Sequence, residues 1–375
     1  MGPVQMGRLE HRRRRQCLLL GCLLVSWLGC GGGGPAGGSG ESLPPTPSPS
    51  ADVPDTLKYG VHSVLEYGSP FGLSNHVAKL QEIGAQVSRN DFLWHQIEAT
   101  QGVFSWGTSD EVVDSLLGAG IEPLMVIWGS PAWANGSSDP SVVPTSEPAL
   151  SFWLDHYRAF VRALATRYKG RVNHWELWNE PNILDFWKPP SIDVYARWAS
   201  AVESEIRAID PNARVAYGSL TNLEVAWGGI SGEEFLRGLY ARGISPRIVS
   251  VHPYAYGNEP PEEGGPGDGK DTFRDVVTMR QVMLENGGES GVIWITEYGW
   301  WAGPSYFNPS VSLTEGQQAD YLGRSLALVR SWPYVTRVIW CLDWDRPGVP
   351  YNGVGLVRLD GTLRPAALTF RSAPR

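Results

Sequence analysis

The run His174–Asn182, HWELWNEPN, carries an apolar, strand-forming stretch into Asn179, Glu180 and Pro181. Proline cannot donate to a sheet ladder and biases the residue before it away from helical geometry. The strand is therefore expected to stop there, with the Glu180 carboxyl at its tip. A second β-branched and aromatic run, Val292–Trp300 (VIWITEYGW), delivers another acid, Glu297. Two strand-end acids far apart in the chain suit cleavage of a glycosidic bond: one protonates the leaving oxygen, the other attacks the anomeric carbon or activates water. A nucleophile must be ionised and gains from a nearby cation, whereas the acid must hold its proton near neutral pH. Their environments must push the two pKa values apart.

Bringing both acids to one end of a molecule is the task of the intervening elements. From Thr56 onward, strand-like and helix-like runs alternate. The strand candidates are Lys58–His62, Ala85–Arg89, Glu122–Trp128, Val172–Trp178, Arg214–Ser219, Ile248–His252, Val292–Glu297 and Val335–Leu342. Helical periodicity is clearest in Leu150–Tyr168, Ile192–Ile209, Thr272–Leu284 and Thr314–Val329, with apolar residues at three- and four-residue spacing. Most helices run into Gly, Pro or Asn just before the next strand, as in IGAQV, LGAGIEP, YKGRV and DPNARV. Eight units with tight turns at one end predict an α/β fold, a single (β/α)8 TIM barrel spanning 56–375, whose strand carboxyl ends carry the site. The connections after strands three and six are long enough to wall a cleft. Aromatic residues crowd that face: Trp133, Phe186, Trp187, Trp300, Trp301, Tyr306, Phe307, Trp344 and Tyr351. Sugar rings stack on such side chains, although about half are expected to do no more than pack the loops.

WELWNEP, ITEYGW, the VSVHPYAYG run and the closing GLVRLDGTLRPAA together resemble clan A glycoside hydrolases, most like family 39 and related exported polysaccharide hydrolases, over residues 57–370. The resemblance implies a retaining mechanism, with Glu180 as general acid/base and Glu297 as nucleophile. It further implies that Asn179 bonds the sugar 2-hydroxyl, that His252 and Tyr254 surround the nucleophile, and that Trp340 floors the sugar being cleaved. Arg89, ending VSRND, is the natural cation beside Glu297, and His62 and Trp133 are further substrate-contact candidates. Each has a plainer alternative. Glu176, earlier on the same strand face as Glu180 and deeper, reads as a buried structural acid paired with an arginine or a tryptophan N–H, and Arg89 could simply be its partner. His62 could be satisfied by a backbone carbonyl, and Trp340 and Trp344 could exchange roles through a strand-end bulge.

The first thirty residues read as an address. Arg8 and Arg12 to Arg15 form a basic region, and Cys17–Leu28 is apolar but too short to span a bilayer. Residues 1–30 resemble a bacterial lipoprotein signal, with cleavage before Cys30 and a diacylglycerol on its sulfur; an ordinary secretory signal is the alternative. Residues 31–55, rich in Gly, Pro and Ser, read as a tether from the membrane. The expected location is therefore exported and membrane-anchored. Setting aside residues 1–30, with five Arg and one Glu against totals of 31 Lys+Arg and 39 Asp+Glu, deepens the net charge from −8 to about −12. Nucleic acid is excluded as a partner on that balance. Cys341 is then the sole cysteine, and HExxH, paired Cys/His spacings and phosphate-binding loops are all missing. No metal or cofactor is implied. The expected activity is a retaining glycosidase acting endo on a β-linked polysaccharide; an exo-acting β-xylosidase-like enzyme and a non-catalytic glycan-binding lipoprotein are the alternatives.

Overall fold

The computed structural model describes residues 56–68, 71–222, 228–265, 271–305, 310–346 and 352–374. The expected signal peptide, the tether, Cys30, and the loop aromatics Tyr306, Phe307 and Tyr351 lie outside the described residues.

Eight parallel strands close into a barrel in sequence order: β1 (Lys58–His62), β2 (Val87–Leu93), β3 (Glu122–Trp128), β4 (His174–Leu177), β5 (Arg214–Thr221), β6 (Ile248–His252), β7 (Val292–Tyr298) and β8 (Val335–Trp340), with β8 returning to β1. A helix follows each strand: α1 (Leu73–Glu82), α2 (Gly107–Gly118), α3 (Ala149–Tyr168), α4 (Ile192–Ile209), α5 (Gly232–Ala241), α6 (Asp275–Glu285), α7 (Glu315–Arg330) and α8 (Pro365–Ser372). Serine and threonine cap three of these helices. Ser191 and Ser231 accept the third backbone N–H of α4 and α5, and Thr314 with Gln317 closes a capping box on α7.

Strand side chains alternate between the barrel interior and the helix layer, so the interior fills in tiers. At the amino-terminal end, Glu122 accepts from Lys58 Nζ at 2.5 Å and Arg337 Nε at 2.9 Å, with His174 Nε2 3.1 Å from Arg337 Nη2. Above it lies an apolar tier of Val87, Leu124, Ala216, Ile248, Trp294 and Ile339. Gly60 occupies this level on β1 because a Cβ there would sit 2.5 Å from the Val87 carbonyl oxygen and 2.6 Å from Ile339. Continuing two residues at a time toward the carboxyl ends gives Arg89, Glu176, Ser250, Thr296 and Cys341, then Asp91, Trp128 and His252.

Two bulges break the alternation where the site begins. Between Ile295 and Tyr298, β7 uses three steps where β8 uses two, from Val338 to Trp340. Thr296 and Glu297 therefore both reach inward and Tyr298 is returned to the helix layer. On β5, three steps from Tyr217 to Leu220 face two on β6, and Gly218 (φ 117°) and Ser219 (φ 50°) absorb the extra residue.

Candidate active site

The two acids arrive by different backbone devices. β4 stops at Leu177, three residues earlier than the strand-to-proline reading requires, and Trp178 (φ 70°) and Glu180 (φ 43°) take positive φ in the turn that follows. Such a turn costs a non-glycine residue free energy and persists only where its surroundings enforce it. Here they do: Trp178 is fully buried, donates its indole N–H to the Phe186 carbonyl at 2.8 Å, and packs edge-on against Trp187 and Trp198. Glu297 is placed instead by the β7 bulge.

Arg89 joins them. Its guanidinium has no solvent exposure and donates through Nε to Glu176 Oε2 (2.6 Å), through Nη1 to Glu297 Oε1 (2.6 Å) and through Nη2 to Asn179 Oδ1 (2.9 Å). It is therefore both the partner of the buried acid Glu176 and the cation beside Glu297. The Tyr254 hydroxyl donates to Glu297 Oε2 at 2.7 Å, and His62 Nδ1 lies 3.3 Å from Oε1. His252 Nδ1 lies 2.9 Å from Glu180 Oε1 and its Nε2 3.1 Å from Thr296 Oγ1, which fixes the ring between two strands.

These neighbours separate the acids. Burial alone would raise the Glu297 carboxyl, but its electrostatic interactions with His252 and Arg89 and the contact with His62 outweigh it and hold Glu297 well below the usual carboxylate range. Burial raises Glu180 as well; the hydrogen bond to His252 opposes the rise, the Glu297 charge adds to it, and Glu180 stays above its ordinary value. One carboxylate is thus kept charged and the other is helped to keep its proton.

One oxygen each of Glu180 and Glu297 and a ring nitrogen of His252 lie within 4.8 Å of one another, as do donor atoms of His62, Glu297 and Cys341. Both sets are compact enough to hold a cation. Their atoms are already engaged with each other and with Arg89, whose fixed charge a second cation would have to face.

No protein-family model matches the chain. In sequence, the β-xylosidase of Geobacillus stearothermophilus is 26% identical over 292 residues, covering 70% of this chain and 55% of that enzyme, so the chain spans about half the length of that relative. Among solved structures, a family 39 glycoside hydrolase from the gut symbiont Bacteroides cellulosilyticus WH2 superposes with a TM-score of 0.66 at 21% identity, covering 85% of this chain and 64% of that one. The monomeric β-xylosidase from Caulobacter crescentus CB15 gives 0.63 at 20% identity, covering 86% and 68%. The chain has a family 39-like glycoside hydrolase fold.

On this family 39-like barrel, seven of the residues singled out from sequence converge: Glu180, Glu297, Arg89, Asn179, His252, Tyr254 and His62. Two do not. Trp340 was expected to floor the site, but Ile339 belongs to the interior tier, so alternation turns Trp340 to the other side. It is fully buried against Tyr298 and Trp300, donates to the Val354 carbonyl at 2.8 Å, and has no surface left for a ligand. Trp344 is likewise buried and stacks on Phe71 at 3.8 Å. Trp133 packs edge-on against Trp94 and His156, donating to the Glu98 carbonyl, and so ties a loop to α3.

Sequence reasoning also missed residues that the structure places here. Cys341 Sγ is 3.8 Å from Glu297 Oε2, on the inward phase that Trp340 lacks. Asp91, two residues beyond Arg89 on the same face, accepts the Trp128 indole N–H at 2.8 Å, and period-two counting from Arg89 would have found it.

Proposed function

We propose that the protein is a retaining β-glycosidase of the β-xylosidase type, with Glu297 as nucleophile and Glu180 as general acid/base. The observation that carries this reading is the approach of the two carboxylates within 4.8 Å, which suits direct attack; inverting pairs stand roughly 6.5–9.5 Å apart to admit a water. The opposed pKa shifts support the division of roles. Glu180 protonates the leaving oxygen while Glu297 attacks the anomeric carbon. Glu180 then takes a proton from the water that releases the sugar. Arg89, Tyr254 and His62 hold Glu297 ionised and aimed. Asn179, its carbonyl oxygen engaged by Arg89, keeps an NH2 group to donate to the sugar 2-hydroxyl. The xylosyl glycone and exo action are taken from the named relatives. Endo action rested on aromatic loops lining an open groove, and Trp187, Trp300, Trp301 and Trp344 are all buried.

The test is incubation with 2,4-dinitrophenyl 2-deoxy-2-fluoro-β-D-xyloside, followed by peptide mass spectrometry and by NMR of the first-formed product anomer from xylobiose. A label on Glu297 and a β-anomer are expected. An α-anomer, or a label elsewhere, overturns the mechanism; oligosaccharide products from xylan in place of xylose overturn the exo assignment. Export and lipidation at Cys30 belong to the same proposal: labelled palmitate should enter the full chain in a bacterial host and be lost in Cys30→Ser.

A further inference from the structure

Glu180 enters the site from a turn whose positive φ of 43° must be enforced by its surroundings, and two residues further on stands a side chain with no part in the proposed chemistry. Asn182 is fully buried. Its Oδ1 accepts the Thr221 backbone N–H at 3.2 Å, and its Nδ2 donates to the Thr221 carbonyl at 2.9 Å and to the Ile230 carbonyl at 3.0 Å. Both amide hydrogens are thereby used. The Asn182 carbonyl in turn accepts the Ile230 N–H at 2.8 Å, and Ile183 forms an antiparallel bridge with Gly229. Gly229 permits that approach, since a Cβ there would lie 2.1 Å from the Asn182 carbonyl oxygen. The turn after β4 is therefore clamped to the exit of β5 by buried bonds to backbone groups, each costly to leave unmade.

The clamp reaches Glu180 by two routes. Along the chain only Pro181 intervenes, and its ring fixes φ. Across the sheet, Thr221 is the register partner of His252, whose Nδ1 lies 2.9 Å from Glu180 Oε1. Glu180, Pro181, Asn182, Thr221 and His252 thus close a ring, and the Asn182 amide is the link that spaces the β4 turn from the β5–β6 pair. The other charged groups that face Glu180 are Glu297 on β7 and Arg89 on β2, which hold each other at 2.6 Å independently of this ring.

We infer that Asn182 is a positioning residue for the general acid: it sets where the Glu180 carboxyl stands relative to His252 and the leaving oxygen, and so governs protonation of the leaving group without touching the substrate. The inference rests on the glycosidase reading and adds a residue outside the reacting groups on which one half of the mechanism depends. Glu297, placed by the β7 bulge and held by Arg89 and Tyr254, owes nothing to this clamp. Loss of the clamp therefore impairs the acid and spares the nucleophile.

The experiment compares the full chain with Asn182→Ala, Gly229→Ala and Glu180→Ala on 2,4-dinitrophenyl and phenyl β-D-xylopyranosides, with thermal unfolding of each protein. The first leaving group needs no proton and the second does, and kcat/KM reports the step that breaks the glycosidic bond. Asn182→Ala and Gly229→Ala should stay within about threefold of wild type on the dinitrophenyl glycoside and lose about 10- to 100-fold on the phenyl glycoside, part of the loss expected of Glu180→Ala. On the phenyl glycoside the alkaline limb of kcat/KM should move upward, because the bond to His252 is what opposes the burial-driven rise of Glu180. Gly229 is exposed, so its variant displaces the clamp from outside and decides the matter where Asn182→Ala does not fold. A merely structural residue would give equal losses on both substrates with the alkaline limb in place, and that outcome overturns the inference. So does wild-type kcat/KM on the phenyl glycoside in a folded variant. If wild type cleaves neither glycoside, the glycosidase reading itself falls; if Glu180→Ala shows no dependence on the leaving group, the acid role of Glu180 falls. Both failures are seen before Asn182 is altered.

Discussion

At the scale of single residues, one arginine sets the charge states on which the chemistry depends. Arg89 is completely buried and satisfied by three side chains, so Glu297 meets a fixed cation at 2.6 Å before any substrate arrives. Glu180 has no such partner; its contact is the His252 ring at 2.9 Å. The difference predicts an asymmetric pair of variants. Glu297→Gln should abolish turnover of every glycoside, since no covalent intermediate can form. Glu180→Ala should retain activity on 2,4-dinitrophenyl glycosides, which need no protonation, and lose about 10²–10⁴-fold on sugars with poor leaving groups. Azide should rescue the second variant and leave the first inert. The pH dependence follows with its sign. In the proposed mechanism Glu297, held below the usual range, must be ionised and should set the acid limb of kcat/KM, while Glu180, raised, must be protonated and should set the alkaline limb. In Glu180→Ala the alkaline limb should vanish while the acid limb stays. Retention of both limbs would remove Glu180 from the acid role.

At the scale of elements, the site depends on where strands stop being regular. β1, β3 and β6 fall on the residues that the sequence pattern marks, because each is a short apolar run bounded by turn residues. The pattern misleads where apolar character continues but backbone geometry changes. Trp178 is as apolar as Leu177, yet it has left the strand and turned to positive φ. The β7 bulge exists only as a shift of register against β8, so nothing in VIWITEYGW alone reveals that Thr296 and Glu297 share a face. Trp340 shows the same limit in reverse: a tryptophan near a strand end is visible in sequence, but its phase is fixed by Ile339 entering the interior. Glu180, Glu297 and Arg89, singled out by their chemistry and not by periodicity, are brought together by the fold. The bulge on β5 offers a test. A Cβ on Gly218 would lie 2.9 Å from the Ser250 carbonyl oxygen at a φ of 117°. Ser219, beside it, donates to the Trp178 carbonyl at 3.0 Å and so braces the turn leading to Glu180. Gly218→Ala should cost about 1–3 kcal/mol in urea unfolding and should lower kcat more than it raises KM. Unaltered kcat in a folded variant would show that the turn holds without this brace.

At the scale of the whole molecule, the barrel separates the ends that carry chemistry and stability, with the apolar tier between them. Each end contains a buried arginine, and the amino-terminal one offers a stability test that leaves the active site untouched. Arg337 is 1% exposed and is paired with Glu122, which also takes Lys58 and faces His174. Burial would raise Glu122, but the charges of His174, Arg337 and Lys58 outweigh it and hold the carboxyl below its ordinary value. Glu122→Gln leaves Arg337 with a neutral partner in a buried site, and breaking a buried pair costs about 3–5 kcal/mol. Because the folded value is depressed, the wild-type advantage should be complete above the unfolded carboxylate value of about 4.3 and shrink as pH falls through the lower folded value. Urea unfolding at neutral pH and near pH 3 measures both ends of that curve. kcat/KM and both limbs of its pH profile should match wild type wherever the variant is folded, since the apolar tier lies between Glu122 and the proposed catalytic acids. A displaced acid limb would mean that charge at the amino-terminal end reaches Glu297 through the barrel, and that the two ends are electrostatically one.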